Sequence, residues 1–307
     1  MGKKGKKAKQ KKRAEDDGKK VMDNAGTPEE ELMARLAMYR ARLAATNRTE
    51  DPLKNWTRLQ NEECPICMLP LPLMQDEIRD CVICGTTVCV GCQVSGTIVQ
   101  GRNSRDFDVK KALGKAFACP VCRSNMHACF DDKVEIKALM KRVDAGHHEA
   151  MRDIGTYYFK GEMGLRQDKA EGLKWYHRAV EAGSGMAAFS LGAEYHEDDG
   201  VDKYHHKALE YYQKSTELGY IPAFPIVGAI LLERGEIEEA YVSFRKAAMC
   251  GLRDEHLFKT LRYGFLERFI TKDEYAYTLR ENQKACTEMR SADRERAMVM
   301  LRETGWL

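Results

Sequence analysis

Along the second half of the chain, apolar residues recur three and four positions apart, and the blocks they form recur at a longer interval. Leu173, Trp175, Tyr176 and Ala179 correspond to Leu209, Tyr211, Tyr212 and Ser215, and then to Tyr241, Ser243, Phe244 and Ala247. That spacing lays one apolar face along a helix. Turns ending in Gly146, Gly183, Gly219 and Gly251 set intervals of 37, 36 and 32 residues. In the other half of each unit Gly155, Gly192 and Gly228 follow Ala150, Ala187 and Ala223 by five residues. Two helices per unit account for both series, with small residues where helices cross closely and a glycine where the second helix stops. The aromatic positions are expected to fill packing between units rather than to hold a cofactor.

The pattern extends in both directions. Residues 134–146 read as the second helix of an incomplete first unit, so that a repeat array over 134–252 begins directly after the cysteine-rich segment. Residues 253–307 predict helices that close the array with a polar outer face. Thr271-Lys272-Asp273-Glu274 is a capping-box start, and Gly264 falls 36 residues after Gly228, as one more unit would require. Near the N-terminus, Leu32, Leu36, Tyr39 and Leu43 keep helical spacing behind the start Thr27-Pro28-Glu29-Glu30. An amphipathic helix over 27–46 with no local partner must pack on something, and 47–60, with Asp51-Pro52, reads as linker.

Composition changes the picture at two places. Residues 3–20 carry ten Lys or Arg with almost no apolar residues, so 1–26 is expected to be a disordered basic tail. Such a tail serves as a nuclear address, an anchor on nucleic acid or anionic membrane, or a solvated solubility aid. The second place is the cysteine content. Eight of the eleven cysteines form four Cys-x-x-Cys pairs, Cys64/Cys67, Cys81/Cys84, Cys89/Cys92 and Cys119/Cys122. A two-residue gap lets both thiolates of a pair point inward from a tight turn, so two pairs close a tetrahedral zinc shell and four pairs hold two zinc ions. The N-terminus has no apolar segment of the signal-peptide type and no stretch approaches 18 apolar residues, which argues for an intracellular protein without a membrane span and against a disulfide framework. Eight bound thiolates and two zinc ions bring the formal charge from +3 to about −1, so the total gives no argument for nucleic acid.

Only four residues separate Cys84 from Cys89, which places the second and third pairs poorly for sharing one ion. Interleaving is easier, with Cys64, Cys67, Cys89 and Cys92 at one zinc and Cys81, Cys84, Cys119 and Cys122 at the other. His127 and Cys129 are spare once eight ligands are in place. A module of about 70 residues buries too little apolar surface to fold unaided, so the cysteines are folding determinants first.

Cys64-Pro65-Ile66-Cys67 and Cys119-Pro120-Val121-Cys122-Arg123 resemble the opening and closing knuckles of a RING finger over 61–130. Cys84 stands where that family usually has a histidine nearer the next cysteine. The run from Cys81 to Cys92 also resembles a FYVE finger, which binds an inositol phospholipid headgroup, but a FYVE finger has a basic, histidine-rich run where this chain has Ile78, Arg79 and Asp80. The RING resemblance implies a ubiquitin ligase that forms no covalent intermediate and acts by positioning a charged ubiquitin-conjugating enzyme. It implies Ile66 and Pro120 as contacts for that enzyme and Arg123 as the basic residue that joins enzyme and ubiquitin. An inactive adaptor scaffold is the other role such a module takes.

Gly155-x-x-Tyr158, Gly192-x-x-Tyr195, the loops Gly164-Leu165 and Gly200-Val201, and Trp175-Tyr176-x-x-Ala179 through Gly183 resemble Sel-1-like repeats, relatives of the tetratricopeptide repeat. The third unit departs from the pattern by four missing loop residues and one missing aromatic. The resemblance implies an α-solenoid that binds a protein client. The expected fold is therefore mainly α, with a small cross-braced two-zinc module followed by helix-turn-helix repeats. No Gly-rich phosphate loop, His-Glu-x-x-His or nucleophile elbow appears in the chain.

Overall fold

The computed structural model describes residues 34, 36–38, 51–59, 63–71, 73, 78–81, 86–89, 92, 132–197, 202–292, 295, 296, 299 and 302. A short antiparallel hairpin, β1 (Ile78–Asp80) and β2 (Thr87–Cys89), precedes a run of helices. These are α1 (Asp132–Asp144), α2 (His148–Lys160), α3 (Lys169–Glu181), α4 (Gly185–Glu197), α5 (Asp202–Glu217), α6 (Ala223–Glu233), α7 (Ile237–Met249), α8 (Glu255–Leu266) and α9 (Lys272–Glu288). Each helix from α1 to α7 packs on the next, which makes a linear stack of helix pairs, and α8 and α9 both return to α7 at its end. Among the described residues no helix is long and apolar enough to cross a membrane.

Local chemistry sets where the helices begin and stop. Asp168 accepts the Glu171 backbone N–H at the start of α3, and Asp254 does the same for Leu257 at the start of α8. Thr271 and Glu274 form the full capping box of α9. The periodic glycines are the stops. Gly183 has φ +103, its N–H donates to Val180 O at 3.0 Å, and Ser184 N–H donates to Ala179 O at 2.8 Å. Gly219 repeats the arrangement with Thr216 and Ser215. This is the Schellman motif, whose left-handed residue must lack a Cβ to be unstrained.

The second glycine series answers to packing. A Cβ on Gly155 would lie 2.7 Å from the Tyr176 ring, one on Gly192 2.8 Å from Tyr212, and one on Gly228 2.7 Å from Phe244. The three rings are equivalent positions of successive units, and each is buried against the neighbouring helix backbone. Full burial of a side chain such as Phe244 contributes about 1.5–3 kcal/mol. Among the described helices, one apolar cluster spans α1 to α4 and a larger one spans α5 to α9.

The end of the stack departs from the sequence expectation. Gly264 does not repeat the role of Gly228, because a Cβ there would meet Tyr241 on the preceding helix α7, at 2.1 Å. Helix α9 packs on α7 and buries Arg245 against its own Glu274 and Thr278. Residues 51–59, read from sequence as linker, lie against this same end. Leu53 is buried, and Trp56, Leu59 and Leu73 pack on the larger cluster, as does Leu36 from the N-terminal helical segment. Most of 27–46, with the Thr27 cap, and all of the basic tail lie outside the described residues.

Candidate metal centre

The first knuckle is a tight hairpin. Cys64 N–H donates to Leu69 O at 2.9 Å, Met68 N–H donates to Cys64 O at 2.9 Å, and Glu63 and Pro70 form an antiparallel bridge. Met68 takes φ +56 to close the turn, the place where glycine is the unstrained choice. This geometry brings the Cys64 and Cys67 sulfurs together and leaves Ile66, between them in the turn, exposed.

The β hairpin delivers the other two thiols. Cys89 ends β2 opposite Ile78, and Cys92 follows three residues later. Cys81 lies at the other end of the hairpin, where its N–H donates to Thr86 O at 3.1 Å. Three residues of strand separate these ends, about 10 Å at the usual rise per residue. Cys81 and Cys89 therefore face different surroundings, although only eight positions part them in sequence.

The sulfurs of Cys64, Cys67, Cys89 and Cys92 all lie within 4.8 Å of one another, and those of Cys67 and Cys89 are 3.8 Å apart. Four thiolates around a tetrahedral zinc at 2.3 Å would be spaced by about 3.8 Å. A disulfide needs sulfurs about 2 Å apart, and none of the described cysteines is in one. Cys64 and Cys89 are fully buried and pack with Leu71 and Val88.

The electrostatics suit a cation. Burial pushes the Cys64 thiol up, but backbone N–H groups of Cys67, Cys89 and Ile66 hydrogen-bond its sulfur and bring it down to about 7. Cys92 is pushed far up by burial and by the neighbouring Cys89. A dication at this position would hold all four groups as thiolates. The donor set and its spacing thus fit a structural zinc ion.

Of the remaining candidate residues, Cys81 is described and buried, outside this cluster. Cys84, Cys119, Cys122, Pro120 and Arg123 lie outside the described residues, and with them three of the four ligands assigned to a second ion.

The first knuckle lies at the C-terminal end of the stack. Arg58, Leu59, Glu63 and Pro70 line a cleft of about 110 Å³ with Cys250, which follows α7, and with Ala285, Glu288 and Met289 at the end of α9. Sequence reasoning missed the residues that place it there, 51–59 and Arg245. The signal was present as Leu53, Trp56 and Leu59, spaced by three within a stretch dismissed for its Asp-Pro.

Residues 148–184 and 185–220 match the family model for the Sel1 repeat, which takes in the pairs α2/α3 and α4/α5. The chain thus carries Sel1 repeats; the pair α6/α7 shows the same glycine-to-ring contact beyond the matched residues. An Arabidopsis thaliana protein, ERAD-associated E3 ubiquitin-protein ligase component HRD3B, is 33% identical over 87 residues, which is 28% of this chain and 13% of that protein. A Sel1 repeat protein from Oxalobacter formigenes aligns with TM-score 0.37 and 26% identity, over 42% of this chain and 98% of that chain. The protective antigen c5321 of uropathogenic Escherichia coli, which displays an SLR fold, aligns with TM-score 0.37 and 19% identity, over 69% of this chain and 50% of that chain.

Proposed function

We propose that the protein is a zinc-binding RING-type ubiquitin ligase, recruiting a charged ubiquitin-conjugating enzyme through 61–130 and a client or partner protein through its Sel1 repeats. The observation that carries this reading is the four-thiol cage of Cys64, Cys67, Cys89 and Cys92, with Ile66 exposed on the turn between the first two. Zinc bound there, and at Cys81, Cys84, Cys119 and Cys122, supplies a structural cross-link. Ile66 and Pro120 offer the conjugating enzyme an apolar seat, and Arg123 hydrogen-bonds enzyme and ubiquitin in the reactive arrangement. Catalysis is by orientation of two bound partners. Closely grouped cysteines outside any disulfide support a reducing, intracellular setting.

A second reading has one observation in its favour. The curated relative is named a ligase component, and a zinc module that only assembles such a complex would be an adaptor. An autoubiquitination assay across a panel of conjugating enzymes decides between them. The ligase reading expects activity that is lost in Ile66→Ala and Arg123→Ala while native mass spectrometry still finds two zinc ions. Silence across the panel with fully metallated protein refutes it and leaves the adaptor.

A further inference from the structure

The segment that leads into the first knuckle is tied down on the far end of the repeat stack. Asp51 Oδ1 accepts the Leu53 N–H at 2.9 Å, which sets a tight turn. Its Oδ2 accepts from Arg245 Nη2 at 2.5 Å. Arg245 is 1% exposed, and it also donates to Glu274 at 3.2 Å and to Thr278 at 2.9 Å, both on α9. Further along the segment, Arg58 pairs with Glu288 of α9, and the Leu59 backbone N–H hydrogen-bonds the Cys250 sulfur. Five residues beyond Leu59 is Cys64.

A buried guanidinium between two carboxylates is seldom favoured for stability alone, since desolvation offsets most of the attraction; its best-attested use is to fix one arrangement among several. Here the arrangement it fixes joins three parts of the chain, namely the segment before the knuckle, helix α7 and helix α9.

We infer that Arg245 is a positioning residue for the metal centre, latching 51–59 to the C-terminal cap so that filling the Cys64 cage and ordering α9 reinforce one another. The inference rests on the reading of the cage as a zinc site. The coupling is reciprocal: whatever zinc adds to the order of α9, an intact α9 adds to zinc affinity. Its consequence is to hold the Ile66 surface at a set place and angle at the end of the Sel1 stack, in place of a tethered module free to swing.

The test uses the full-length, reduced, zinc-loaded protein. Zinc stoichiometry comes from native mass spectrometry, zinc affinity from competition with a chromogenic chelator, and order in Lys272–Glu288 from hydrogen exchange before and after chelation. Asp51→Asn removes the charge on the segment side and leaves the cage residues alone. It is expected to weaken one of two zinc equivalents by about fivefold or more. Glu255→Gln, in an exposed pair with Lys259 on α8, is expected to bind zinc as the wild type does. Chelation is expected to speed exchange across α9. If Asp51→Asn folds poorly, Arg58→Gln carries the same comparison at the edge of the cleft. Wild-type zinc affinity in the folded segment variants, or unchanged α9 exchange after two zinc ions have been stripped, overturns the latch and leaves the zinc site standing. Wild-type protein that carries no zinc overturns both.

Discussion

Replacing Arg245 by methionine keeps most of the side-chain volume and removes every donor from a site where two carboxylates converge. The Glu274 side chain is 4% exposed and that of Asp51 16% exposed, so neither charge is returned to bulk water by the change. Breaking a buried ion pair from one side costs about 3–5 kcal/mol. Arg245→Lys should fall between methionine and wild type, because a compact ammonium cannot serve both carboxylates and Thr278 with the fork of a guanidinium. Adding Glu274→Gln to Arg245→Met is expected to recover about 1–2 kcal/mol, because an uncharged amide is cheaper to bury. Its amide oxygen can still accept the Thr271 N–H that Glu274 accepts at 2.8 Å. Urea unfolding followed by far-UV circular dichroism measures the total. Hydrogen exchange locates it, and since each repeat touches only its neighbours the loss should appear in α7 to α9 before it appears in α2 and α3. An Arg245→Met protein within about 1 kcal/mol of wild type, or a double variant less stable than the single one, would refute the reasoning.

Three further outcomes follow from the geometry. Gly192→Ala places a methyl 2.8 Å from the Tyr212 ring, which Phe189 hems in at a centroid distance of 5.3 Å; overpacking of about 1–3 kcal/mol outweighs about 1 kcal/mol of helix propensity, and a urea midpoint at or above wild type would contradict the close crossing. Burial pushes the Cys250 thiol up to about 11, so its alkylation by iodoacetamide should be slow at neutral pH. A thiol held protonated in the folded state contributes stability below its ordinary value near 9 and loses that contribution as pH rises to about 11; a Cys250→Ala protein should lack this alkaline component of the stability profile. Cys89→Ser removes a ligand at the centre of the cage and should cost one zinc ion by native mass spectrometry, with faster exchange over 63–71; two zinc ions retained would show that Cys89 is not a ligand.

Much of the helical stack was legible in the chain because its signals are local. Gly183 and Gly219 announce helix stops through a backbone conformation that a Cβ would strain, and the Gly155, Gly192 and Gly228 series announces close crossings. Thr271 and Glu274 state the start of α9 within four residues. The thiol pairs were legible for the same reason, since a two-residue gap is a turn-sized constraint.

How the last helices pack was not legible. Gly264 sits at the right interval but meets Tyr241 on the preceding helix, and both α8 and α9 pack back onto α7. An arginine at 245 on an otherwise apolar helix face gives no hint that Asp51, 194 positions earlier, will meet it. Sequence alone determined the repeating helix pairs and the four cysteine pairs, since each depends on residues within a turn or two of one another. Where the first knuckle rests and what a supposed linker holds were decided only by tertiary structure, because burial of charge is a property of distant segments brought into contact.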